Sequence, residues 1–165
     1  MSVYKMFTTK YPDITNRLLT DVVIVSEDKS VTVKAQWDTG ATRSCISHDV
    51  VRELSLISIG RVNVLTPSGE GVLNTYCIDV ILPNSVRVDD IIVSDSEIGR
   101  QDIGMLIGMD IISHGDMAVS NAGGKTVFTF RAPPRDAIDF VAAARKDKAV
   151  GPVHGPGKRK QKRKK

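Results

Sequence analysis

Two runs dominated by Val, Ile and Thr, residues 21–26 (DVVIVS) and 30–37 (SVTVKAQW), are separated only by EDK, and the second ends directly on the tetrad DTGA. Alternating β-branched residues broken by three turn-formers specify a hairpin. Its second strand stops where Asp38 begins, so the Asp38 carboxylate is presented at a strand end, on a turn that Gly40 can accommodate.

The rest of the chain repeats this grammar. Residues 61–66 (RVNVLT) and 72–82 (VLNTYCIDVIL) flank PSGEG, which reads as a hairpin with Pro67 setting the turn and Gly69 and Gly71 supplying positive φ. Residues 86–93 (VRVDDIIV) predict another strand. MLIGMDII predicts an apolar strand broken at Gly108 that continues into a short helix. Residues 116–120 and 125–130 predict a last hairpin around Asn121, Ala122, Gly123 and Gly124. MSVYKMF offers a further edge strand. Only two segments read as helical. SHDVVRELSL opens on a Ser47 N-cap, and RDAIDFVAAARKDKA, past Pro133 and Pro134, has an Asp136 cap, early acids and late bases.

These 165 residues, 41% hydrophobic and 25% charged, suit one mainly β core with an appended segment. The expected organisation is a domain over 1–135, a helix over 136–150, and a Gly/Pro linker with a basic, disordered tail over 151–165. The net charge of +4 comes from that tail. KRKQKRKK, from Lys158 to Lys165, holds seven of the 23 bases, leaving 16 bases against 19 acids, or −3, elsewhere. No polyanion signature marks the body, and the tail offers at most a weak polyanion contact. The N-terminus lacks an apolar signal core, and no stretch approaches the roughly eighteen apolar residues that span a bilayer, so a soluble, cytoplasmic protein is expected. Cys45 and Cys77 have neither metal-ligand nor disulfide-scaffold spacing and are expected reduced and buried.

D-[ST]-G-[AS] arises by chance in a chain of this length on the order of once in a hundred, and alone would describe a β-turn with an exposed Asp. Its company is what constrains it. A Gly-tipped hairpin begins about thirty residues later, and Leu106-Ile107-Gly108-Met109-Asp110 follows. In that order, over residues 21–131, the sequence resembles the retropepsin-like aspartic proteases (clan AA), in which DTGA, a hairpin flap and a strand ending in [IL]-[IL]-G-x-[DN] succeed one another. LIGMDII with DTGATRSCIS is most similar to the small bacterial members.

That resemblance implies a mainly β, closed-barrel acid-protease fold with a short helix after Gly108, and peptide-bond hydrolysis by Asp38 paired with a second aspartate. Hydrolysis by this class needs one carboxylate to take a proton from water while a protonated one polarises the carbonyl, and two carboxylates about 3 Å apart share one proton. No second D-[ST]-G occurs, since Asp95-Ser96 is followed by Glu97. The partner Asp38 is therefore expected from a second copy related by a two-fold axis. The resemblance further implies that Thr39 cross-bonds the paired loops, Gly40 allows close approach, Ala41 keeps the substrate floor small, and Ile107 and Gly108 support the site. It also implies that the flap of Thr66, Pro67, Ser68, Gly69, Glu70 and Gly71 closes over a peptide or protein substrate. Viral members carry an acid after the Ala and an Arg after the Gly of the second element. Thr42 and Met109 stand there in this chain, so both halves of that ion pair are absent together.

Other chemistries are poorly supported. His48, His114 and His154 are scattered without ligand spacing, so no metal or other cofactor is expected. Gly124-Lys125-Thr126 has Val119 where a phosphate loop needs Gly. No GxSxG elbow occurs, and nothing marks a catalytic partner for Cys45. Trp37, Met105 and Met109 read as core. Two other functions stay open: a dimeric peptide-binding module of the same fold that does not cleave, and a nucleic-acid-associated protein acting through its tail.

Overall fold

In the computed structural model, residues 3–66, 69–98 and 102–147 are described, with backbone alone for 65, 66, 69, 70, 146 and 147. The predicted linker and the basic cluster from Lys158 to Lys165 lie outside the described residues.

Ten strands and three short α-helices occur among the described residues, with a 3-10 turn at Ala122–Gly124. The strands are β1 (Lys5–Lys10), β2 (Leu18–Ser26), β3 (Lys29–Trp37), β4 (Cys45–Ser47), β5 (Gly60–Thr66), β6 (Gly69–Ile81), β7 (Arg87–Ser96), β8 (Met105–Ile107), β9 (Asp116–Ser120) and β10 (Val127–Ala132). The helices are α1 (His48–Leu54), α2 (Met109–Ile112) and α3 (Phe140–Asp147).

The larger sheet runs β2-β3-β8-β4-β7-β6-β5, and β6 also pairs with β2. That pairing, with Ile24 opposite Val80, closes six strands into a barrel and leaves β5 on its rim. The closed barrel expected from the sequence is therefore present. Closure removes exposed edges from the central strands. Strand alternation fills the interior, since Val22, Ile24, Ala35, Ile46, Ile78, Val80, Val93, Met105 and Ile107 are all buried. Each such large aliphatic side chain contributes about 1.5–3 kcal/mol by leaving water.

The second sheet, β1-β10-β9, joins both ends of the domain, with Phe7 opposite Phe130. It packs on the barrel through aromatic rings. The Trp37 centroid lies 5.1 Å from Phe128 and 4.9 Å from Phe130, and the indole N–H donates to the Thr20 hydroxyl at 2.8 Å. Trp37 is thus a core residue one position before Asp38, and it fixes where β3 ends.

Local signals mostly act as the sequence predicts. Ser47 caps α1 by accepting from the Val50 N–H, and Gly123 and Gly124 take positive φ between β9 and β10. Five expectations need correction. Met109 is exposed, because in the single turn of α2 the inward face belongs to Ile111 and Ile112. Cys77 is exposed, since it alternates outward between buried Tyr76 and Ile78, while Cys45 is partly buried; both are free thiols. Gly71 has no positive φ and instead continues β6 opposite Val64. The C-terminal helix starts later than predicted, its first N–H groups at Val141 and Ala142 donating to Asp139. Asp136 pairs with Arg131 and Arg135 instead. No helix among the described residues is long and apolar enough to cross a membrane.

Candidate active site

β3 and β8 run parallel, with Trp37 beside Ile107, and the Asp38 N–H donates to the Ile107 carbonyl at 2.9 Å. The two strands therefore end side by side. The loop leaving β3 then crosses the turn leaving β8. The Met109 N–H donates to the Ala41 carbonyl at 2.8 Å, and Gly108 is packed directly against the loop backbone. A Cβ on Gly108 would stand 2.7 Å from the Arg43 carbonyl carbon and 2.9 Å from the Ala41 oxygen. No rotamer relieves a clash with backbone, so the crossing requires glycine.

Asp38 is half-buried, and its Oδ1 accepts the Gly40 N–H at 2.8 Å. The Ala41 N–H donates to the Asp38 carbonyl at 3.2 Å, tightening the turn. Thr39 and Gly40 are exposed, and the Thr39 hydroxyl makes no hydrogen bond among the described residues. A Cβ on Gly40 would sit 3.1 Å from Asp38 Oδ1, so glycine leaves that carboxylate room.

Ser44, which no signal in the sequence marked, and Asp110 hold this arrangement. The Ser44 hydroxyl donates to Asp110 Oδ1 at 2.7 Å and accepts from the Gly108 N–H at 3.0 Å, while the Ser44 N–H donates to Asp110 Oδ2 at 2.9 Å. Asp110 was visible only as the final acid of the LIGMD run. A second carboxylate, Asp95, is buried and accepts from the Asn74 N–H, the Asn74 amide and the Tyr76 hydroxyl, with His48 Nε2 at 3.8 Å. Alternation from Val93 puts Asp95 on the inward face, a signal that could have marked it.

A cleft of about 680 Å³ opens at Ala41. It is lined by Ala41, Thr42 and Arg43 of the loop after β3, by Val62, Val64 and Leu73 of the β5–β6 hairpin, and by Cys45, Val93 and Leu106. Burial, reinforced by the nearby Asp38 charge and opposed by a hydrogen bond from the Leu106 backbone, raises the Cys45 thiol to a pKa of about 11. The thiol is therefore protonated at neutral pH. Of the flap residues, Thr66 pairs with Gly69 and Leu65 with Glu70 through their backbones. Pro67 and Ser68 lie outside the described residues.

No protein-family model matches the sequence, and no curated protein matches it either. Among solved structures, the chain is similar to a retropepsin-like aspartic protease from Rickettsia conorii. The two are 15% identical over 79% of this chain and 96% of that one, with a TM-score of 0.53. The simian foamy virus (mac) protease aligns at 20% identity over 56% of this chain and 89% of that one, with a TM-score of 0.43. A closed six-strand barrel, a DTGA strand end crossed by a glycine turn, and the first of these likenesses together give the chain a retropepsin-like fold.

Proposed function

We propose that this protein is an aspartic endopeptidase, active as a homodimer in which the Asp38 carboxylates of two copies activate water between them. The observation that carries this reading is the presentation of Asp38. It stands at a strand end fixed by Ile107 and Gly108, beside an apolar cleft, with a single intrachain hydrogen bond to its carboxylate among the described residues. One carboxylate cannot be acid and base at once, so the mechanism needs a second beside it. The exposed Thr39 hydroxyl, which has no partner within the described chain, is available to bond the second copy's loop. Ala41 then floors the substrate channel and residues 66–71 close over the bound peptide, excluding water. On this reading residues 1–135 form the protease unit, and residues 136–165 are an appendage.

The test compares wild type with Asp38→Asn on casein from acidic to neutral pH, with products read by mass spectrometry. Cleavage by wild type alone supports the proposal. Equal cleavage by both proteins, or by neither, overturns it, the second result favouring a peptide-binding module. Sizing chromatography on active fractions provides an independent check, because an active monomer would exclude a shared dyad.

A further inference from the structure

The cleft beside Asp38 is apolar along most of its walls, and among the described residues that line it Arg43 is the one that carries charge. Its side chain is exposed. No carboxylate among the described residues pairs with its guanidinium, whereas Arg52, Arg87 and Arg131 are each matched to an aspartate.

The backbone beneath that cation is held in place. The Arg43 carbonyl is packed on Gly108, and the next residue, Ser44, is fully buried and bonded to Asp110 and Gly108. With the backbone already fixed, engaging a ligand there orders only the Arg43 side chain and no main chain. No carboxylate lines the cleft, and Cys45 there is a neutral thiol; the charges of Asp38 and Asp110, felt at Cys45 from outside the lining, are what Arg43 has to outweigh.

We infer that Arg43 is a specificity-determining residue of the peptide site, selecting extended segments that place an Asp or Glu beside an aliphatic side chain. The aliphatic group fills the space between Ala41 and the hairpin residues Val62, Val64 and Leu73, and the neighbouring carboxylate takes a charge-assisted, two-pronged bond from the guanidinium. This rests on the peptide site proposed above, and it adds the chemistry of the substrate. Because Arg43 is exposed, the preference weakens as salt is raised.

The probe is a set of labelled decapeptides with a central aliphatic pair, in which one Glu is walked through the flanking positions and each peptide is matched by its Gln counterpart. Binding is measured on the Asp38→Asn protein, so the readout does not depend on turnover, and cleavage is measured in parallel on wild type. The expected result is about tenfold tighter binding of Glu over Gln at one position. That ratio should fall to near one in Asp38→Asn/Arg43→Gln and invert in favour of a Lys peptide with Arg43→Glu. Absence of a Glu preference, a preference unmoved by either Arg43 substitution, or no binding of any peptide overturns the inference. A preserved Glu preference without cleavage by wild type would sink only the protease reading and leave the role of Arg43 standing.

Discussion

Asp110 grips Ser44 at two points, accepting its backbone N–H at 2.9 Å and its hydroxyl at 2.7 Å, although 66 residues separate them. With its proton committed to Asp110, the Ser44 hydroxyl presents a lone pair to the Gly108 N–H at 3.0 Å. A single side chain thereby ties the loop after DTGA to the turn after β8. The position of Asp38 depends on that tie, because both loops leave adjacent parallel strands.

Ser44→Ala should therefore destabilise the fold by about 1–3 kcal/mol, since it orphans the buried Gly108 N–H and takes the hydroxyl donor from Asp110 Oδ1, which keeps only the Ile111 N–H. Urea unfolding followed by Trp37 fluorescence measures it. Ser58→Ala, which removes an exposed hydroxyl contact to Gly60, should stay within about 0.5 kcal/mol.

Gly108→Ala should be far more damaging than its size suggests. The added carbon meets backbone atoms of Arg43 and Ala41 at 2.7–2.9 Å, so either the loop carrying Asp38 moves or the protein fails to fold. Gly71→Ala serves as the control, because its new carbon finds only the Val64 side chain at 3.7 Å. Soluble yield and circular dichroism should separate the two variants, and equal behaviour would contradict the crossing described above.

Asp95→Ala should weaken the junction between β6 and β7. The Asn74 and Tyr76 donors lose their acceptor inside the protein, at about 1–3 kcal/mol for each donor left unpaired. Hydrogen exchange at the β6–β7 ladder should accelerate more than exchange in β9 and β10. A uniform change across both sheets would argue against a local role.

The Cys45 thiol makes a pH-dependent contribution whose sign is defined. Its pKa stands at about 11 in the fold against 9.0 for an ordinary cysteine, so the native state holds the proton more tightly. That contribution is intact below pH 9 and is lost as pH rises through 11, by up to about 1.4 kcal/mol per pH unit. Wild type should therefore lose stability relative to Cys45→Ala between those limits. At pH 8 a thiol reagent should modify exposed Cys77 well before Cys45.

Much of this was legible before any fold was known. Alternating β-branched residues marked the β2–β3 hairpin, and Ser47 announced α1, because those signals act between residues a few positions apart. The same local reasoning failed for Met109 and Cys77. An apolar side chain in a one-turn helix, or at one strand position, is buried only if another element covers that face. Asp136 failed as a cap because the helix begins at the next compatible acid, Asp139, and Arg131 and Arg135 claim Asp136 instead.

What the amino-acid order by itself determined is that a strand ends on Asp38, that a hairpin and an apolar glycine-broken strand follow, and that this chain carries one such aspartate. What only the tertiary structure decided is how those pieces meet: Gly108 beneath Arg43, Asp110 on Ser44, Asp95 among Asn74 and Tyr76. Periodicity and turn chemistry are properties of neighbours along the chain, so they can be read locally. The choice of a partner tens of residues away depends on closing a barrel, and only the closed barrel brings Ser44 within reach of Asp110.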